Sequence, residues 1–166
     1  MPTLYYVSVT LHLLAAFFWL GGMLFLAAVG APVLRTVEPP ELRQRLFHVL
    51  GTRMRGPGWV AIGTLLVTGT LNLHYRGWLR WDGGLGTGAF WATPLGTALA
   101  IKLVTVTLMV GTSAWHDFLL GPRAGVAVPG SAEALRLRRQ TALLGRVSAV
   151  IGLVLIGAAV RVARGG

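Results

Sequence analysis

Leu11–Met23, LHLLAAFFWLGGM, decides how this chain is read. It lies in a run without a charged side chain from Met1 to Leu34, yet it holds a histidine. An imidazole in hydrocarbon is costly unless it is paired, so it marks either an interhelix hydrogen bond or a functional site. A helix stacks positions i, i+4, i+7 and i+11 on one face, which places His12, Ala16, Trp19 and Met23 on one stripe. Small residues beside the imidazole, Ala15 and Ala16, leave room for something large and flat. A macrocycle is the specific reading, and a histidine bonded between helices is the plain one.

Outward from this stretch the same composition continues. Of 166 residues 54% are hydrophobic and 12% charged, and the mean hydropathy is +0.68. Such a chain belongs in a bilayer. The absence of cysteine excludes disulfides, thiolate metal sites, iron–sulfur clusters and covalently attached haem. There is room for four spans of about 20 residues, at about 4–29, 58–76, 94–118 and 141–162. The expectation is an all-α, integral membrane four-helix bundle, a single domain over residues 1–166. The first span lacks the Lys or Arg start of a cleavable signal peptide, so it is expected to be retained.

Charge sets the expected orientation. Arg35, Arg43, Arg45, Arg53 and Arg55 lie in the first connection, and Arg123, Arg136, Arg138, Arg139 and Arg146 in the third. The opposite side holds Arg76, Arg80, Arg161 and Arg164, with Lys102 inside the membrane. The positive-inside rule then places both termini outside a cytoplasmic (inner) membrane, in a multi-pass arrangement. This distribution makes the net charge of +10 a lipid-facing feature, and no nucleic-acid partner is expected.

After a proline-bearing exit at 31–40, Glu41–Leu50 is predicted to form a short amphipathic helix on the cytoplasmic interface. Gly56-Pro57-Gly58 should break it from the second span. Gly121-Pro122 should likewise end the third. The glycine-rich DGGLGTGAF (82–90) lacks the strand and the Lys-Ser/Thr of a phosphate cradle and is expected to be a flexible outer loop. No internal repeat stands out. Gly145, Gly152 and Gly157 would permit close helix contacts within a protomer or in a homo-oligomer.

Depth sorts the histidines. His12 and His74 fall roughly 6–15 Å below the outer surface, counted at 1.5 Å per residue. Two imidazoles at one depth on different helices can ligate one haem iron, as in other bundle cores, or bond to neighbouring helices. In the third span Lys102, Thr105, Met109, Thr112 and His116 form a polar stripe that should face the interior. There Lys102 would meet a carboxylate or a proton path; the alternative is a lysine reaching for headgroups. His116 and His48, with Asp117 and Arg146 at a similar level, offer a second, inner haem or metal site, or ordinary boundary histidines. Copper would suit clustered Met and His, but the methionines are scattered, and the five carboxylates lie at span boundaries or in loops, which speaks against hydrolysis.

LHLLAAFFWLGGM, LFHVLGTRMRGPGWVAIGTLLVTG (46–69) and IKLVTVTLMVGTSAWHDFLLGP (101–122) together resemble the CopD-like superfamily of four-helix membrane proteins. That group includes copper-resistance D-type domains and HemJ-type protoporphyrinogen oxidases. The fourth segment, LRLRRQTALLGRVSAVIGLVLIGAAVRVA (135–163), fits the same pattern. The HemJ branch implies haem b, with His12 matching the first-helix histidine and Lys102 the third-helix lysine. The copper branch implies copper uptake or tolerance without haem. The third span has no arginine beside Lys102, and the outer surface is not rich in Met or His. The expectation is therefore a b-type haem protein with one haem, or two, acting in electron transfer or porphyrin-related redox chemistry with a redox partner. His12 and His74 would ligate iron, Trp19 would pack on the macrocycle and Lys102 would bind a carboxylate. Copper handling is the alternative.

Overall fold

The computed structural model describes residues 3–128 and 130–165, and among them the structure is mostly helical, with no strands. Helix α1 (Thr3–Phe25) passes through a π-helical turn at Leu26–Gly30 into the short α2 (Ala31–Arg35). Helix α3 spans Pro40–Tyr75. After a short α4 (Gly88–Trp91), α5 (Pro94–Trp115) passes through a second π-helical turn at His116–Leu120 into α6 (Gly121–Val126). Helix α7 covers Ala132–Arg164.

Local chemistry sets the ends. Thr93 Oγ1 accepts from the Gly96 N–H at 3.0 Å, with Pro94 in the first turn, and so starts α5. Ser131 Oγ does the same for α7 through the Ala134 N–H. Gly165, at φ 95°, closes α7 in the left-handed conformation.

Three helical stretches, Thr3–Arg35, Pro94–Val126 and Ala132–Arg164, are long and apolar enough to cross a membrane. Their outward faces carry large apolar side chains, Phe17 (80% exposed) and Leu153 (64%) among them. A soluble protein does not leave so much contiguous apolar surface in water. The second predicted span lies within α3 and is less apolar, because Thr64, Thr68, Thr70, Asn72 and His74 interrupt it.

Several connections differ from expectation. Gly56-Pro57-Gly58 does not break the chain: α3 continues through it, so the amphipathic segment and the second span form one helix. Tertiary packing outweighs the local propensity here. The amphipathic part is held by Gln44 Nε2, which donates to the carbonyls of Ala124 and Ala127. Gly121-Pro122 does not stop the third helix either. Proline clashes with the carbonyl four residues back in a regular helix, and the π-helical turn just before Pro122, like the one before Pro32, widens the helix there. The outer segment 77–93 is folded: Leu79 bridges to Gly84, and Trp91 Nε1 donates to the Leu85 carbonyl at 3.1 Å.

The long helices form two antiparallel pairs, α1 with α3 and α5 with α7. The pairs meet in a core of Ala15, Trp19, Ala61, Ile62 and Met109, the last wholly buried. Gly152 lets α7 approach α1, since a Cβ there would lie 2.8 Å from Leu20 Cδ1; Gly145 and Gly157 face open space.

The two helix pairs share a register of ninety residues. The π-helical turns Leu26–Gly30 and His116–Leu120 stand ninety residues apart, and each is closed by the same bond, Ala31 N–H to Leu26 O and Gly121 N–H to His116 O. Pro32 and Pro122 follow at the same spacing. The buried residues of α1, Ser8, Ala15 and Trp19, match buried Ala98, Thr105 and Met109 of α5. Ile62 and Thr68 of α3 match Gly152 and Ala158 of α7.

Candidate functional site

His12 faces α3. Its Nδ1 lies 2.8 Å from Thr68 Oγ1, and Thr68 spends its own proton on the Thr64 carbonyl at 2.6 Å. The threonine oxygen therefore accepts from His12 Nδ1–H, and the lone pair sits on Nε2. Gly69 makes room for the ring, because a Cβ there would lie 3.4 Å from His12 Cε1. One turn toward the outer end, Ser8 Oγ lies 2.9 Å from Asn72 Oδ1 and 3.3 Å from the Thr68 carbonyl. Ser8 and Thr68 are each only 4% exposed. The imidazole is held by a buried polar network, the usual way a protein fixes the tautomer of a ligating histidine.

Lys102 is half-buried on α5, and Arg76 lies exposed just past the outer end of α3. Arg76 donates through Nε to Tyr5 Oη and through Nη1 to the Val162 carbonyl, both at 3.4 Å, and lies 5.0 Å from the Trp78 ring centroid. The ion pairs among the described residues are Arg43–Glu38, Arg80–Asp82 and His116–Asp117. Among the described residues neither Lys102 nor Arg76 is paired with a carboxylate.

The other sequence-predicted residues lie elsewhere. His74 is exposed, with its ring at 5.9 Å from Tyr75. It does not share the depth of His12: His12 is level with Thr68, six residues or about 9 Å deeper along α3. It is two residues from Asn72, which on a helix turns it to the far side, and the structure does not bring it against His12. Trp19 is in the core between the helix pairs. His116 Nδ1 lies 3.0 Å from Asp117 Oδ1, and Asp117 Oδ2 accepts from Trp59 Nε1 at 3.1 Å. His48 packs against Gly125, where a Cβ would lie 2.6 Å from its Nδ1. It is thus engaged with α6, apart from the His116–Asp117 pair. Among the described residues no group of three or more His, Cys, Asp and Glu could hold a metal ion.

Sequence reading missed Ser8, Thr68, Asn72 and Arg76. A signal was there: Ser8 and His12 are four apart, as are Thr64, Thr68 and Asn72, two polar stripes of equal spacing on antiparallel neighbours. Beside this network a groove of about 530 Å³ runs between α1 and α3, lined by Leu4, Val7, Leu11, Gly63 and Val67 among others.

No family model matches the chain, and no solved structure matches it. A stretch of 65 residues, 39% of this chain, is 40% identical to an uncharacterised protein of Aquifex aeolicus. The matched stretch spans 44% of that relative's length.

Proposed function

We propose that the protein is a four-span component of a cytoplasmic membrane, with both termini outside, that binds haem b through His12. The observation that carries this reading is the imidazole of His12, bonded through Nδ1–H to Thr68 so that Nε2 keeps its lone pair. His12 Nε2 is the ligand atom, and Thr68 keeps it from rotating or changing tautomer. Lys102, half-buried on α5, and Arg76, exposed at the outer end of α3, would supply positive charge for the anionic carboxylates that a tetrapyrrole carries. The donor set fits the group: one neutral nitrogen for iron, cations for carboxylates, and a glycine where the ring must turn. Haem, when bound, supplies one-electron redox chemistry; the protein binds, orients and excludes water. Acting in electron transfer or porphyrin-related redox chemistry follows from that assignment, and the resemblance to the CopD-like superfamily supports it.

The test is the absorption spectrum of the detergent-purified protein, oxidised and reduced, before and after adding hemin. A Soret band lost in His12→Ala is the expected result. A protein that takes up no hemin overturns the proposal. Orientation is tested separately, because the chain has no cysteine. Single cysteines at Asp82 and Arg138 should react with an impermeant thiol reagent from outside and inside the cell respectively.

A further inference from the structure

The groove between α1 and α3 shares its floor with the His12 network through Ser8 and Thr68, but the imidazole itself does not line it. It opens beside Tyr75 at the outer end of α3 and ends at Gly63, twelve residues deeper, or about 18 Å at the helical rise. One leaflet of a bilayer has a hydrocarbon depth of about 15 Å. We infer that this groove is a binding site for one outer-leaflet phospholipid, with an acyl chain lying along it and the phosphate on Arg76 at its mouth. The inference does not rest on the haem reading.

Size and wall chemistry select the occupant. At about 530 Å³ over that length, the mean cross-section is about 30 Å². A helix about 10–12 Å across fills about 80–110 Å², so a helix of a second copy does not enter, whereas one extended hydrocarbon chain does. Leu4, Val7, Leu11 and Val67 supply an apolar wall. The hydroxyls that also line the groove are spent on the protein. Ser8 Oγ lies 2.9 Å from Asn72 Oδ1, Thr64 Oγ1 donates to the Val60 carbonyl at 2.9 Å, and Thr68 Oγ1 donates to the Thr64 carbonyl. None of the three is left to donate to a ligand with polar groups along its length. At the mouth the chemistry changes. The rings of Tyr5 and Tyr75 meet edge-on at 5.9 Å, as suits the headgroup boundary. Arg76 is exposed there and paired with no carboxylate among the described residues. Its Nε and Nη1 bond to Tyr5 Oη and the Val162 carbonyl, which holds the guanidinium in place and leaves Nη2 to meet a phosphate oxygen.

Gly63 supplies the test. A Cβ there meets nothing within 4 Å, so Gly63→Leu fills the groove without pressing on the fold. Gly157→Leu, equally open but on α7, is the control. The full chain, purified in mild detergent and stripped of lipid, is titrated with phosphatidylglycerol and read by native mass spectrometry. Diacylglycerol with the same chains, which lacks the phosphate, is the second probe. Wild type and Gly157→Leu should each hold one phosphatidylglycerol, and Gly63→Leu should hold none. Diacylglycerol should bind wild type at least about 10-fold more weakly, the worth of a charged hydrogen bond, and Arg76→Gln should weaken phosphatidylglycerol by the same factor. Monodisperse elution identifies folded variants. Val67→Trp, at a position 61% exposed and one turn from Gly63, fills the groove if Gly63→Leu does not fold. Equal phosphatidylglycerol binding by wild type and a folded groove-filled variant overturns the site, as does equal binding of the two lipids or the absence of any adduct in wild type. A wild-type dimer that Gly63→Leu converts to monomer places a second copy over the groove and overturns the lipid.

Discussion

Thr68→Val is the sharpest perturbation of the proposed site, because it changes shape little and removes one hydroxyl. That hydroxyl accepts from His12 Nδ1–H at 2.8 Å and donates to Thr64 O at 2.6 Å. In the variant His12 either leaves a buried N–H unpaired, at about 1–3 kcal/mol, or rotates to find another acceptor. Either outcome displaces the Nε2 lone pair. Loss of such a partner costs about 10–100-fold in metal affinity, or roughly 1.4–2.8 kcal/mol at 1.4 kcal/mol per decade. The assay is hemin titration followed in the Soret region, with Thr70→Val as control. Thr70 Oγ1 bonds only to the Leu66 carbonyl on an exposed face, so its loss should leave affinity within about twofold. Equal affinities for wild type and Thr68→Val, or equal losses in both variants, would refute the orienting role.

Three other outcomes follow from the geometry. Gly96→Ala should destabilise strongly, since a Cβ there collides with the Phe90 carbonyl, a backbone atom that cannot yield; thermal unfolding in detergent reads the loss. Trp59→Phe should keep the packing on Phe118 but remove the bond to Asp117 that ties α3 to the inner end of the third helix, lowering stability by about 1–2 kcal/mol. Asp82 accepts from Arg80, which holds its carboxyl below the usual carboxylate range. Any stability from the pair is present above the unfolded carboxylate pKa and fades as pH falls through the folded one. Arg80→Ala should raise the Asp82 titration midpoint in an NMR pH series, with little change in melting because both groups are exposed.

Long uncharged runs made the helices legible, and the placement of arginines made their alternation plausible. What the sequence hid was mostly punctuation. Gly-Pro pairs at 56–58 and 121–122 look like stops, but neighbouring helices supply packing that carries α3 straight through one and a π-helical turn through the other. The ninety-residue register was invisible because matched positions keep their burial and not their chemistry: His12 against Lys102, Trp19 against Met109, Ser8 against Ala98. In the site, His12 and Lys102 stood out by depth alone. Residue counts from the span ends put His74 level with His12, but the packing register of α1 on α3 sets the true depth: His12 meets Thr68, six residues deeper than His74, which is turned outward besides. Thr68 was hidden among threonines such as Thr64, Thr70 and Thr107 that simply bond back to their own helix.

The matched π-helical turns also set where the helices can lengthen past their prolines. In each, an i to i+5 bond takes the place of an i to i+4 bond, Ala31 N–H to Leu26 O and Gly121 N–H to His116 O, and a proline follows at once. A proline there would otherwise press on the carbonyl four residues back. The wider turn therefore lets α1 run on into α2 and α5 into α6, so that two long rods reach the same inner end of the molecule without a break.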